Sequence, residues 1–312
     1  MTGSKAIAIA RDPLFDKSKA YMQRAIRAKA DRDNDQYQLW ASLALELLGK
    51  ARLAAIHPCL VVDPTHQVSL FAAAGHSIGT DIKTIAAHTL YDRLKRVSIG
   101  FDEKIRKFCE AISQRRNAEL HSGEVPFQAM RLDAWEASFW RAAQVILESM
   151  ASSLEEWLGA DEAKAPMKII KHARDAAVAA ALERLKHARE DFLGRPKKER
   201  DTVLAQAEVK EAYHYRGLFK VDLDHAWECR CPACAGKAFL TGVLVSEETT
   251  ETDDPYEWEE WVEQQYSAEE FHCPVCELKL YSLDEIVAAK LEPELTTKEQ
   301  REREYEPEYG ND

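Results

Sequence analysis

The sequence predicts a mainly α-helical chain that closes on a small, metal-stapled β domain. Three observations carry this. Apolar residues recur at helical spacing through most of the first half. Alanine-rich, heavily charged stretches follow, split by Gly194–Arg195–Pro196. The last third is strand-like and holds two CPxC pairs. Length alone suggests about two domains, by the soft rule of ~150 residues for each. The boundaries read as a helical bundle over 1–160, a charged helical connector or hairpin over 161–215, a β domain over 216–290, and a polar tail over 291–312 that is expected to be partly disordered.

Within the first part, residues 17–33 read as a charged helix. Residues 35–56 (DQYQLWASLALELLGKARLAAI) form a stronger one. Trp40, Leu43, Ala44, Leu47, Leu48 and Ala51 fall on one face, and Pro58 stops it. Helices are expected over 80–97 and 102–120. A long helix is expected from Pro126 to Trp157, with Trp135, Trp140, Val145, Ile146 and Met150 available for a core. A break follows at Leu158 to Pro166. The connector reads either as a solvated hairpin or as an arm that contacts a partner.

The formal net charge of −12 is unevenly spread. Residues 1–215 carry a net +4 and residues 216–312 a net −16. The acidic last third is a poor match for nucleic-acid phosphates, whose affinity comes largely from Lys and Arg. No apolar run approaches the ~20 residues that span a bilayer. The first residues do not read as a secretory signal, so the expectation is a soluble, cytoplasmic protein with no membrane partner.

The cysteine pattern points to a metal rather than to disulfides. CPAC supplies Cys231 and Cys234, and CPVC supplies Cys273 and Cys276. Four thiolates close a tetrahedral zinc site and leave no open position, which makes the metal structural. Cys229 either competes as a ligand or remains a free thiol. His272, beside Cys273, is not expected to bind. The insert between the pairs begins as an acidic loop. Asp254 and Pro255 then look like the start of a short helix, with Trp258, Trp261, Val262 and Gln265 on one face. That helix packs on its own domain or offers Trp258 and Trp261 as anchors for a protein partner or inhibitor.

The stretch RRNAELHSG, Arg115 to Gly123, carries the functional reading. An Arg-x4-His match alone is worth little, since chance gives ~0.7 of them in a chain of this composition. A second match, Arg52 to His57 in RLAAIH, reads as a decoy at the end of a helix. The asparagine directly after Arg116 makes the first match far rarer. Ile105, Phe108, Cys109 and Ile112 form an apolar stripe, and Arg116 continues it. His121 lies ~140° further round an ideal helix. Gly123 is a candidate for the residue that ends the helix. Arg115 is expected to pair with Glu119 at i, i+4.

Arg116-Asn117-x3-His121 resembles the R-N-x3-H motif of the HEPN family (higher eukaryotes and prokaryotes nucleotide-binding). The helices of residues 17–160 are similar to that family in texture. The resemblance implies an α-helical bundle that dimerises, with two motifs meeting to cleave RNA without a metal. It implies Arg116 and His121 as catalytic residues, with Asn117 in support. Histidine suits proton transfer and arginine holds phosphate oxygens. The implied products are a 2′,3′-cyclic phosphate and a 5′-OH, and the implied role is a toxin or an anti-phage defence effector. Family members that bind without cleaving give the alternative: a HEPN/zinc-ribbon scaffold acting through protein partners.

Overall fold

The computed structural model describes residues 8–209, 211, 225–250 and 259–302. It divides into two compact units, residues 1–173 and 174–312. The first is all helical. It contains α1 (Arg11–Ala30), α2 (Asn34–Ile56), a 3-10 turn (Pro58–Leu60), α3 (Gln67–Ala73), α4 (Ala87–Val97), α5 (Glu103–His121), α6 (Leu132–Glu148) and α7 (Leu154–Leu158). The long helix α8 (Lys164–Gly194) contains the boundary between units, and α9 (Lys197–Glu208) follows it.

Helix α2 is the axis of the first unit. It starts where the Asp33 side chain accepts a hydrogen bond from the Gln36 N–H. It packs against α1, α4, α5 and α6. Burial therefore extends beyond the single face read from its sequence. Tyr37, Ala41, Leu45 and Leu53 are buried along with Ala44, Leu48 and Ala51. The polar residues of this core are tied down individually. The Ser18 hydroxyl donates to the Ala44 carbonyl and accepts from the Trp157 indole N–H, which joins α1, α2 and α7. The Gln38 amide donates to the Phe127 carbonyl. Trp135, Phe139, Trp140 and Trp157 form a chain of edge-on aromatic contacts in the same core.

Three expectations are corrected here. Residues 80–86 are not helical, because Thr84 bridges to Val62 and the Ile85 N–H donates to the Val61 carbonyl. The helix expected from Pro126 to Trp157 is broken. It runs from Leu132 to Glu148, stops near Ala151 in the left-handed region (φ 54°), and restarts as α7 under the Ser153 cap. Helix α3 has no counterpart in the sequence reading.

The second unit is an antiparallel sheet of β1 (His225–Arg230), β2 (Lys237–Thr250), β3 (Glu259–His272), β4 (Lys279–Leu280) and β5 (Glu294–Glu302), with α10 (Leu283–Ala288). The order is β1-β2-β3-β4, and β5 pairs with the other end of β3. The helix expected around Trp261 is therefore a strand. Val262, Tyr266 and Ala268 are buried at even positions, which is the period of a pleated strand and not of a helix. Trp261 and Gln265 face the other way; both are exposed. Trp258, Asp254 and Pro255 lie outside the described residues. The expectation of a disordered tail is corrected for residues 294–302, which form β5 with half-buried Leu295 and Thr297. The connector is not a separate unit either. Ala181 and Phe192 of α8 and Ala207 of α9 share one apolar cluster with the sheet residues Leu240 and Phe271.

Gly242 sits at a bulge in the β2–β3 pairing. A Cβ there would lie 2.0 Å from the Ser267 carbonyl oxygen, so no side chain fits without moving backbone. Gly242→Ala is expected to cost on the order of 2 kcal/mol or more. Chemical denaturation checks this, and an unchanged midpoint would refute the steric account.

Candidate functional site

The motif helix α5 begins with a tight cap, the Asp102 carboxylate accepting from the Ile105 N–H at 2.8 Å. Burial raises the Asp102 carboxyl above its ordinary range. Ile105, Cys109 and Ile112 are buried and Phe108 packs against the same core, so the apolar stripe is as read. Arg116 continues it and is 9% exposed. A guanidinium at that depth requires a partner. It finds Glu46 of α2 through Nη1, and the Asn117 amide oxygen through Nη2 at 2.8 Å and Nε at 3.2 Å.

Glu46 is shared. Lys50, one turn further along α2, donates to its other oxygen at 2.7 Å and to the Thr84 hydroxyl at 3.0 Å. Burial pushes the Glu46 carboxyl up, but Lys50 and Arg116 outweigh it and hold the group below the ordinary carboxylate range. Two cations on one carboxylate leave a net charge of about +1 in a nearly closed site. Close by, the buried Tyr91 hydroxyl meets the Ser113 hydroxyl at 3.2 Å. Burial raises the phenol well above its ordinary value.

The other motif residues are placed differently. His121 is the last residue of α5; it is exposed, and its ring has no hydrogen-bond or ion-pair partner among the described residues. Asn117 orients Arg116, not His121. Arg115 does not pair with Glu119. It reaches the Met130 sulfur at 2.9 Å, and one Glu119 carboxylate oxygen is buried without a partner. Gly123 does not adopt the left-handed conformation expected of a helix terminator. The chain leaves α5 through extended Ser122, whose N–H and hydroxyl both donate to the Ala118 carbonyl.

The decoy is explained. Arg52 donates to the Val97 carbonyl at 2.6 Å at the end of α4, and the His57 ring accepts from the Cys59 N–H. Two further histidine clusters resemble sites without the needed chemistry. The Ser69 hydroxyl meets His66 Nδ1 at 2.7 Å, and Asp81 stands 3.5 Å from Nε2. Ser69 is fully buried and accepts from the Lys83 N–H, so it anchors a loop and cannot attack a substrate. His88, Asp92 and Glu110 gather at one point, but Arg106 already supplies the cation there.

In the second unit, Cys231, Cys234, Cys273 and Cys276 come within 4.8 Å of one another, three of them buried and Cys276 half-buried. Both knuckles have the same backbone pattern. The Cys231 N–H donates to the Gly236 carbonyl and the Ala235 N–H donates back to Cys231; Cys273, Leu278 and Glu277 repeat this. Ala235 and Glu277, each directly after the second cysteine of its pair, are both left-handed (φ 58° and 61°). The sulfurs of Cys231 and Cys276 lie 3.6 Å apart and those of Cys234 and Cys273 3.5 Å. Disulfide sulfurs sit at about 2.05 Å. A tetrahedral ion with metal–sulfur bonds of about 2.3 Å sets them about 3.8 Å apart. The four cysteines can hold a metal ion, consistent with structural zinc.

Cys229 lies on β1 opposite Ala238 and outside this group, with burial pushing its thiol up to about 12. His272 is likewise outside it. Glu46, Lys50 and Thr84 were missed by sequence reasoning. The available signal was a Glu–Lys pair at i, i+4 within a helix that is otherwise largely apolar. Comparison with known protein families, with curated proteins and with solved structures returned no match. No helix among the described residues is long and apolar enough to cross a membrane.

Glu46→Ala leaves two cations without their shared counter-charge, and a loss of stability on the order of 3 kcal/mol is expected in urea titrations. A depressed carboxylate stabilises the fold above its unfolded pKa, and the benefit is lost as pH falls through the folded value. Glu46 and Glu103, the latter held at about 2 by its hydrogen bond to Arg106, both act in this direction. Stability is therefore expected to decline between roughly pH 5 and pH 2, and Glu46→Gln to flatten part of that decline. Cys234→Ser is expected to abolish the roughly one bound zinc per chain that elemental analysis should find in the wild type.

Proposed function

We propose that the helical unit is a metal-independent endoribonuclease of the HEPN type, acting as a homodimer, and that the four-cysteine unit is a structural zinc ribbon appended to it. The observation that carries this reading is the cationic Arg116–Glu46–Lys50 cluster between α2 and α5, with Arg116 on the same helix as the exposed His121. A net positive charge held in low dielectric favours a phosphate. RNA brings its own nucleophile, the 2′-OH. Cleavage then needs a base and an acid to move protons, and a cation against the phosphate.

In this reading Arg116, oriented by Glu46 and Asn117, stabilises charge on the phosphate. His121 transfers the proton. The two side chains leave α5 in different directions, and a second copy of the motif across a dimer supplies the missing group. The products are a 2′,3′-cyclic phosphate and a 5′-OH. A toxin or an anti-phage defence effector is the role that suits such an enzyme. The acidic β unit, with Trp261 exposed on β3, is then the surface for a protein partner or inhibitor rather than for RNA.

A second reading is a non-catalytic scaffold of the same fold acting through protein partners. It is favoured by the burial of Arg116 and by the bonding of its Nε, Nη1 and Nη2 to Glu46 and Asn117. His121 separates the two readings, because an exposed side chain is replaced with little effect on folding. His121→Ala is expected to lower cleavage of single-stranded RNA in EDTA by about 10²–10⁴-fold, with denaturation unchanged. Equal cleavage by wild type and variant, or none by either, favours the scaffold. Glu46→Gln raises the local charge by one unit and is expected to tighten RNA binding at low salt, measured by fluorescence anisotropy.

A further inference from the structure

Two arginines of the second unit reach the cysteine knuckles from outside. Arg189, on α8, donates from Nη2 to the Pro232 carbonyl at 2.7 Å. Pro232 follows the first ligand cysteine, Cys231. Arg195, in the turn between α8 and α9, donates from Nη1 to the Val275 carbonyl at 3.3 Å. Val275 precedes the last ligand cysteine, Cys276. One guanidinium thus holds each knuckle. Between them in sequence, Phe192 is buried in the apolar cluster that contains Cys231, Cys234, Cys273 and Val275. Leu204 of α9 closes on the same place. A Cβ added at Gly236 would lie 2.9 Å from Leu204, 2.9 Å from Val275 and 3.4 Å from the Cys234 sulfur.

We propose that Arg189 and Arg195 are positioning residues of the metal centre, and that zinc binding docks residues 185–208 onto the sheet. The inference rests on the reading of the four cysteines as a zinc site. Its physical basis is charge and geometry together. Four thiolates around a divalent ion carry a net charge of about −2, and partly buried charge of that size is stabilised by cations held nearby. Each arginine also fixes a turn whose shape sets where two sulfurs point, and partners of this kind in a metal site's outer layer typically alter affinity by 10–100-fold. Without the ion, the knuckles lose the constraint that keeps both carbonyls aimed at α8 and its following turn, and the arm loses its hold.

The test uses the full chain under reducing conditions, zinc-loaded and chelator-stripped. Hydrogen exchange is followed in peptides from 185–208, with peptides from α2 as the control. Zinc removal is expected to raise exchange in 185–208 at least tenfold and to leave α2 unchanged. Zinc affinity is measured separately by competition with a chromogenic chelator. Arg189→Ala with Arg195→Ala is expected to weaken it about 10–100-fold, and lysine at both positions to recover part of the loss. A metal-free protein with 185–208 still protected overturns the coupling. A double variant that holds zinc as tightly as wild type overturns the role of the arginines. A wild-type chain that takes up no zinc defeats the four-cysteine reading itself, a result distinct from both.

Discussion

The helical unit depends on one buried carboxylate. Glu46 lies on the helix that every major neighbour packs against, where an unpaired charge would cost more than the fold can bear. It is tolerable because Lys50 and Arg116 both bond to it. The consequence is geometric as much as energetic. Through Lys50 and Thr84 the same group ties α2 to the chain that leads into α4, and through Arg116 it ties α2 to α5. The motif arginine is thereby held in one place, and under the ribonuclease reading proposed above this is the preorganisation that electrostatic catalysis requires.

The second unit meets its polar demands differently. Its core is small, and four of its buried or half-buried residues are the clustered cysteines that can hold a metal ion. Apolar contacts from Phe192, Leu204 and Ala207 supplement that core, and these come from segments that read as connector in sequence. Alanine-rich, charged helices look solvated because few of their positions are apolar. Those few positions are the ones that pack here.

What the sequence made legible was local. Helix α2, the stripe from Ile105 to Arg116, the split at Gly194–Pro196 and the cysteine spacing all follow from period or short-range geometry. The errors came from short windows and long-range pairing. Trp258, Trp261, Val262 and Gln265 fit a helical face, yet Val262, Tyr266 and Ala268 alternate as a strand, and pairing with β2 and β5 decided between them. Strand β5 carries almost no apolar signal because it is an edge strand with only Leu295 and Thr297 turned inward. The bond from Arg116 to Glu46 spans 70 residues, and no spacing rule reaches that far.

The β2–β3 hairpin has a consequence for the metal site. Closing a loop of the 38 residues between Cys234 and Cys273 would by itself cost about 4 kcal/mol of chain entropy, on the scale used for cross-links of that length. Here the ladder performs that closure. The pair Phe239–His272 stands beside both knuckles and keeps their strands in register, leaving the shape of each turn to its own bonds and to an ion. The sulfurs are therefore indifferent to what happens at the far end of the hairpin. Residues can be added to or removed from β2 and β3 in matched pairs, and the acidic, tryptophan-bearing end can diverge, while the metal site keeps its geometry.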